Sequence, residues 1–292
     1  MPRLGAHMSV AGGLPAAIAR ARIHQCDTLQ VFTKNASQWR ARPLPPTEIA
    51  AFKQAARETG ISPIVAHASY LINLATINPA LRAQSIAALG EEVDRAEALG
   101  LLGVVLHPGA RMTAPVDQAI SLIVDALAHV LKDRQSGKTM ILLEHTAGQG
   151  STMGSSFEEI AAMLDGVTDT TRMGVCLDTC HLLASGYNLC TDEGYRATFD
   201  SFERLIGVDR LKVFHLNDSK KPCMSRVDRH EHIGKGCIGL EPFRRLLNDP
   251  RFAHLPMILE TEKTDSRDRG RIEIDPLDEM NLNALRGLLA NT

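Results

Sequence analysis

The stretch from Arg172 to His181 combines an apolar run with side chains that can bind a metal ion. Residues 173–177 are almost entirely apolar, which is typical of a buried strand, and Asp178 and His181 follow this run closely. Carboxylate oxygen and imidazole nitrogen are both ligands of zinc and of other divalent metals. The stretch therefore predicts metal chemistry at the end of a strand.

The same arrangement recurs along the chain, where apolar segments end at or near ionisable side chains. The predicted strand ends lie near His7, Thr33, His67, His107, Glu144, Asp178, His215 and Glu260. Successive ends are 26 to 45 residues apart, which leaves room for a helix each time. Amphipathic spacing predicts such helices, most clearly at 79–99 and 116–132. Apolar strands that alternate with helices indicate a parallel α/β sheet, and eight such units predict a (β/α)8 TIM-type barrel. A doubly wound open sheet is the alternative.

The length of the chain and its lack of a linker indicate one barrel domain rather than several domains. A TIM-type barrel takes about 250 residues, and the 292-residue chain has no linker-like segment, so we predict a single domain, 1–292.

The net charge of −2 disfavours a strongly basic, non-specific nucleic-acid binder but leaves room for a local basic surface. The six cysteines show no paired CxxC pattern, and no signal peptide or long apolar run is visible. These features predict a cytoplasmic protein with reduced thiols and no membrane association.

The predicted barrel would bring the histidines and carboxylates together at the C-terminal ends of its strands, where the active sites of such barrels lie. A single histidine at a strand end is more often a hydrogen-bonded core or surface residue, so the joint pattern carries the argument. Burying so many ionisable groups costs free energy unless a partner compensates them. Nitrogen and oxygen ligands without thiolate suit zinc, with manganese or iron as alternatives. Nine candidate ligands exceed the needs of one tetrahedral ion and predict two or three clustered ions.

Clustered ions are well suited to phosphoester hydrolysis, because they generate a hydroxide and stabilise both the attacking and the leaving oxygen. Glu144 ends a middle strand and is well placed to bridge two ions. The chain has no Walker-type phosphate loop.

Motifs along nearly the whole chain resemble those of the endonuclease IV family of metal-dependent apurinic/apyrimidinic endonucleases. The matching segments are Gly5–Gly13, Phe32–Asn35, Gln38–Arg40, Ser69–Leu74, Leu106–Gly109, Thr146–Gly150, Leu177–His181, His215–Asp218, Asp228–His230 and Leu259–Thr261.

The resemblance implies a barrel with three zinc ions per chain, with Mn²⁺ or Fe²⁺ possible at some sites. The first ion would be held by His67, His107 and Glu144. Glu144 would bridge to the second ion, which Asp178, His215 and Glu260 would also bind. The third ion would be held by His181, Asp228 and His230.

The implied activity is that of a zinc-dependent deoxyribonuclease IV acting in DNA base excision repair. It would cut duplex DNA on the 5′ side of abasic sites, leave a 3′-hydroxyl and a 5′-deoxyribose phosphate, and trim blocked 3′ ends. Glu144 and Glu260 would act catalytically by controlling the attacking hydroxide. The protein would be a monomer.

The resemblance also implies contacts with the DNA. Tyr70 and Leu71 would fill the gap in the base stack, as wedge residues do in other proteins. Lys34, Arg40 and Arg229 would contact phosphates.

Three departures from the family pattern stand out. Ser37 occupies a position where Arg is frequent, which puts one minor-groove contact in doubt. His145 stands where Asn is usual, next to Glu144. Glu231 and His232 replace a common His-Ser pair, and His232 could compete with His230 as a ligand, although Asp228–His230 is the matching unit.

Two other functions fit parts of the pattern. A sugar isomerase or epimerase on a related metal barrel would use mainly carboxylates and two ions. A non-catalytic zinc or DNA-binding protein would bind DNA without cutting it.

Overall fold

The computed structural model describes residues 2–264 and 270–290 and shows a closed eight-stranded parallel barrel. Its strands are β1 (Arg3–His7), β2 (Thr28–Val31), β3 (Ile64–His67), β4 (Gly103–Leu106), β5 (Met140–Glu144), β6 (Met173–Asp178), β7 (Leu211–His215) and β10 (Pro256–Leu259). Each of these strands pairs with its neighbours in chain order, and β1 closes the barrel against β10 with Leu4 opposite Met257. The predicted TIM-type barrel is confirmed.

The remaining two strands form an antiparallel hairpin outside the barrel, between β7 and β10. They are β8 (Asp218–Ser219) and β9 (His230–Glu231), and they lie in a segment that the sequence pattern predicted as a long polar loop. The pattern missed the hairpin because two-residue strands carry no periodic hydrophobic signal.

Each barrel strand is followed along the chain by at least one helix. The helices are α1 (Leu14–Ile23), α2 (Pro46–Thr59), α3 (Pro79–Leu99), α4 (Val116–Lys132), α5 (Phe157–Asp165), α6 (Thr179–Ser185), α7 (Asp192–Leu205), α8 (Leu240–Asn248) and α9 (Pro276–Arg286). The bounds of α3 and α4 agree with the predicted ones. The short helix α6 was not predicted, and β2 ends at Val31 rather than at Thr33. Among the described helices, none has the length and apolar character needed to cross a bilayer.

The hydrophobic core has two parts. A large cluster fills the layer between the barrel strands and the surrounding helices, and it contains most of the buried Leu, Ile and Phe side chains. A small cluster fills the barrel itself and consists of Val65, Val105, Leu142, Cys176, Val213 and Ile258. One residue from each of β3, β4, β5, β6, β7 and β10 thus points into the barrel.

Candidate metal centre at the barrel mouth

Strand alternation explains why six of the predicted ligands point to one place. Side chains two residues apart on a strand point to the same side. The six inward-pointing core residues are followed two positions later by His67, His107, Glu144, Asp178, His215 and Glu260. The apolar layer therefore supports a polar layer above it, at the C-terminal ends of the strands.

The first group of potential ligands consists of His67, His107 and Glu144. The Nε2 atoms of His67 and His107 lie 3.1 and 3.0 Å from Oε2 of Glu144. The potential ligand atoms of all three residues lie within 4.8 Å of one another, a spacing that a single metal ion could serve.

The second group shares Glu144 and adds Asp178, His215 and Glu260. Nδ1 of His215 lies 3.0 Å from Oε1 of Glu144 and 3.1 Å from Oε2 of Glu260. Glu144 is fully buried and faces the first group with one carboxylate oxygen and the second group with the other. A carboxylate in this position can bridge two ions.

The third group combines Asp178, His181 and His230 with Asp228, which also lies in a close set with Cys180 and His230. Nε2 of His181 lies 3.2 Å from one oxygen of Asp228, and Nε2 of His230 lies 3.3 Å from the other. Nε2 of His230 also lies 3.6 Å from Oδ2 of Asp178. All nine predicted ligands thus lie at the mouth, and Asp178 lies between the second and third groups.

Local structure brings the third group to the mouth. Asp178 caps α6 by accepting a hydrogen bond of 3.0 Å from the backbone N–H of His181, so the helix begins where the strand ends. The β8–β9 hairpin supplies His230, with Asp228 just before it. The carboxylate of Asp218 accepts hydrogen bonds from the amides of Gly236 and Ile238 and so closes this segment. A Cβ at Gly236 would lie 2.4 Å from the carbonyl oxygen of Ser219, so this turn requires glycine.

In four of the histidines, one ring nitrogen donates a hydrogen bond to an uncharged oxygen, and the other ring nitrogen faces carboxylates. Nδ1 donates to a backbone carbonyl oxygen in His67, in His181 and in His230, over 2.7, 2.9 and 3.2 Å. Nε2 of His215 donates to Oε1 of Gln30 over 2.8 Å. Outer hydrogen bonds of this kind fix the tautomer of metal-binding histidines. The buried Nε2 atoms of His181 and His230 make no hydrogen bond, so the residues present fit bound cations.

Mutual electrostatics hold the carboxylates ionised. Burial alone would raise the pKa of Glu144, but the imidazoles around it, led by His107 and His215, hold that pKa well below its usual range. The pKa of Glu260 is likewise well below its usual range, because His215 outweighs the effect of burial. Burial opposes protonation of His230, yet the nearby carboxylates, led by Asp178, raise its pKa to about 9. A site that holds several ionised carboxylates against burial is prepared for positive charge.

Two buried amides belong to this centre and were not predicted as site residues. Gln30 is fully buried, and its amide nitrogen donates to Nδ1 of His7 over 2.9 Å and also to Glu260. The Asn217 side chain donates to Asp178 over 2.6 Å and accepts from the backbone amide of Glu260 over 2.9 Å. The available signal for Gln30 was a long polar side chain within the predicted buried strand that begins at Thr28.

The predicted DNA contacts differ in how accessible they are. Tyr70 is 62% exposed, and the centre of its ring lies 5.1 Å from that of His67, directly beside the first group. Leu71 is partly exposed, and Arg40 and Arg229 are exposed.

The structure disagrees with the predicted contact between Lys34 and a DNA phosphate. Its side chain is buried, and Nζ donates to the carbonyl oxygen of Trp39 over 2.9 Å and lies 3.8 Å from Glu92. A lysine held in this way stabilises the loop after β2 and is not available to a phosphate.

The departures from the family pattern lie outside the ligand groups. The ring of His145 is buried and packs edge-on against Phe157 and Tyr187, away from the carboxylates. Nδ1 of His232 is hydrogen-bonded to the amide of Asn281 over 3.0 Å, and His232 belongs to none of the ligand groups found in the described residues. His230 therefore has no competitor there. Ser37 is exposed.

Comparison with known proteins places the barrel in a family. Residues 18–280 match the model of a family described as the xylose isomerase-like TIM barrel, and the chain belongs to that family. A protein of Chloroflexus aurantiacus named "Probable endonuclease 4" is 47% identical over 289 residues, which cover 99% of each chain. The crystal structure of endonuclease IV from Thermus thermophilus superimposes with a TM-score of 0.84 at 35% identity, over 98% of each chain. Within the barrel family, the chain therefore belongs to the endonuclease IV group.

More distant structures share the fold alone. D-allulose 3-epimerase from Methylomonas sp. superimposes with a TM-score of 0.68 at 16% identity, over 99% of this chain and 97% of the epimerase.

Proposed function

We propose that this protein is a zinc-dependent DNA repair endonuclease that hydrolyses the phosphodiester bond 5′ to abasic sites. The products are a 3′-hydroxyl and a 5′-deoxyribose phosphate, and the same site trims blocked 3′ ends. The activity resides in one barrel domain, residues 1–292, which acts as a monomer on duplex DNA. The membership of the endonuclease IV group, and the names of its relatives, support this proposal.

The observation that carries the proposal is the shared position of Glu144. Its two oxygens face two different ligand groups, and a third group lies beside Asp178. Three adjacent groups of nitrogen and oxygen ligands suit three divalent ions, which we take to be zinc, with Mn²⁺ or Fe²⁺ possible at some sites. Such ions would supply a hydroxide at neutral pH and Lewis acidity toward the phosphate oxygens.

The protein's own residues position that chemistry. His67, His107 and Glu144 would hold the first ion; Glu144, Asp178, His215 and Glu260 the second; and His181, Asp228 and His230 the third. Glu144 and Glu260 would orient the attacking oxygen; their carboxylates belong to the same candidate ligand group and lie 3.0 and 3.1 Å from Nδ1 of His215. Gln30 and Asn217 hold Glu260 and Asp178 in place through their amides.

The exposed rim would recognise the lesion. A sugar without its base costs less free energy to extrude than an intact nucleotide, so the lesion can reach the mouth. Tyr70 lies on the rim beside His67 and His107, where its ring can fill the gap in the base stack, assisted by Leu71. Arg40 and Arg229 are the exposed cations that would contact phosphates.

The test uses a labelled duplex with one abasic site, incubated with purified protein with and without a strong chelator. We expect chelator-sensitive cutting on the 5′ side of the lesion, with a 3′-hydroxyl end, and restoration by added zinc. An undamaged duplex of the same sequence is the matched control. Binding to the abasic duplex without cutting, by protein that contains its metals, would instead support a non-catalytic DNA-binding protein.

The sugar epimerase alternative is favoured only by the shared fold. Turnover of a free ketose by metal-loaded protein, together with no cutting of abasic DNA, would establish it in place of the nuclease.

A further inference from the structure

A groove crosses the face of the barrel opposite the metal centre. It has a volume of about 640 Å³ and runs over the N-terminal ends of β3, β4 and β5. These strands are four or five residues long, so the groove lies roughly 15 Å from the mouth. In TIM-type barrels this face does not carry the active site, so the proposed nuclease activity does not explain the groove.

The floor of the groove is apolar. It is lined by Phe52 and Ala56 of α2, by Ile64 at the start of β3, by Leu102 before β4 and by Met140 at the start of β5. Leu102 and Met140 also pack against the small cluster inside the barrel, so this floor is continuous with the rigid core. Phe52 and Ile64 are buried, so the accessible apolar surface of the groove comes mainly from Ala56, Leu102 and Met140, which are partly exposed.

All the charged residues that line the groove are cationic. Lys53 and Arg57 project from α2 and Lys138 from the segment before β5, while no Asp or Glu lines the groove. In the described part of the chain, these three side chains have no ion pair or side-chain hydrogen bond. Glu97 accepts hydrogen bonds from the backbone amides of Lys138 and Thr139, and no ion pair between Glu97 and the Lys138 ammonium is found among the described residues. Three cations beside an apolar floor attract a ligand with several negative charges and an apolar part.

We propose that this groove binds a short segment of a partner protein in which aspartates or glutamates adjoin leucine- or phenylalanine-type side chains. The apolar side chains would lie on the floor between Phe52 and Met140. The carboxylates would pair with Lys53, Arg57 and Lys138. Because these cations stand on two separate elements, a segment with spaced carboxylates matches them better than a small ligand with a single charge. Small-molecule pockets also enclose most of their ligand, whereas this groove is partly open to solvent.

The test uses fluorescein-labelled hexapeptides with three acidic residues followed by three residues drawn from Leu, Ile and Phe. Their binding to the metal-loaded full chain is measured by fluorescence anisotropy at low and high salt. Two control pools replace either the acidic residues with Gln or the apolar residues with Ser. We expect the pool of hexapeptides that carry both acidic and apolar residues to bind at least tenfold more tightly than either control pool. Its binding should be weaker at high salt than at low salt.

Charge-reversal variants test whether the peptides bind in the groove. The groove variant combines Lys53→Glu, Arg57→Glu and Lys138→Glu. A matched control reverses three exposed cations elsewhere on the barrel, Arg22→Glu, Lys132→Glu and Arg204→Glu. We expect the groove variant to bind the pool at least tenfold more weakly than the wild type, and the control to bind like the wild type. Both variants should cut abasic DNA at the wild-type rate, which separates this proposal from the proposed function.

Methyl NMR of the wild type identifies the surface used. Peptide-induced shifts should concentrate on the methyl groups of Ile64, Leu101, Leu102 and Met140. The proposal is overturned if no peptide binds, if both triple variants bind equally, or if the shifts occur elsewhere. Self-association of the chain through this groove, detected by sedimentation and abolished in the groove variant, would also overturn it in favour of a second copy as the occupant.

Discussion

Nδ1 of His181 donates a hydrogen bond of 2.9 Å to the backbone carbonyl oxygen of His145. The bond fixes the tautomer of His181 and directs its Nε2 toward Asp228. Residue 145 thus acts on the centre through its main chain. Its own ring packs instead against Phe157 and Tyr187.

We therefore expect His145→Asn to leave the metal content and the cleavage rate close to those of the wild type. The variant should lose roughly 1–3 kcal/mol of stability, because a buried ring is replaced by a smaller side chain. Metal analysis, cleavage kinetics and denaturant unfolding check this expectation. A large loss of metal with unchanged stability would mean that the ring itself supports the site.

Glu144→Gln should disrupt two ligand groups at once, since its oxygens face both. We expect cleavage of abasic DNA to fall by roughly 10²-fold or more, beyond the ~10–100-fold typical of outer-shell losses, together with a loss of bound metal. Glu158→Gln, on the exposed side of α5, is the control and should behave as wild type. Near-normal cleavage by a Glu144→Gln protein with full metal content would refute the bridging role.

The positions of the candidate metal ligands were predictable from the sequence, because most of them follow the ends of strands. Apolar strands that stop at Glu144, Asp178 and His215 indicate both the barrel and the candidate ligands, and alternation along each strand directs these side chains inward. Lys34 shows the limit of this reasoning. Besides its hydrogen bond to the carbonyl oxygen of Trp39, its Nζ lies near Glu92, which is 58 positions away on α3, and no local sequence pattern predicts that contact.

Glu92 ties together the two loops that form one side of the mouth. Its carboxylate accepts hydrogen bonds from the Thr33 hydroxyl over 2.7 Å and from the Ser69 backbone amide over 3.3 Å, directly before Tyr70. Glu92 thus has the geometry of a positioning residue for the predicted wedge, although it contacts none of the candidate metal ligands through a hydrogen bond or ion pair found among the described residues.

Glu92→Gln should therefore weaken recognition of the lesion more than catalysis. We expect KM for an abasic duplex to rise roughly 3- to 10-fold, about 0.7–1.4 kcal/mol of binding free energy, with kcat and metal content nearly unchanged. Glu91→Gln is a matched control, since Glu91 also lies near Lys34 but is more exposed. Equal effects of the two substitutions on KM would exclude a positioning role for Glu92.

Tyr70→Ala tests the wedge directly. The ring is 62% exposed and stands beside the first ligand group, so its removal should cost contact with DNA but no packing of the core. Stacking of a base on an aromatic side chain contributes about 1–3 kcal/mol, so we expect affinity for the abasic duplex to fall roughly tenfold. Affinity for an undamaged duplex and metal content should not change. Unchanged affinity for the abasic duplex would remove Tyr70 from the interface.

His24 should make the stability of the barrel depend on pH at a site remote from the mouth. Burial lowers the pKa of His24, and its Nε2 accepts a hydrogen bond of 3.1 Å from the backbone amide of Asp275, which requires the neutral ring. The charges facing it include Asp278, which favours protonation, and Lys263, which opposes it.

The direction of this dependence follows from proton binding. Below the ordinary pKa of about 6.5, the unfolded chain takes up a proton at His24 that the folded chain resists, so the free energy of unfolding decreases as pH falls. We expect His24→Gln, compared with the wild type in urea at pH 7.5 and pH 5.0 in the presence of chelator, to lose less stability on acidification. The chelator keeps metal binding from contributing to the difference. An equal loss in the two proteins would mean that His24 keeps its ordinary pKa in the folded state.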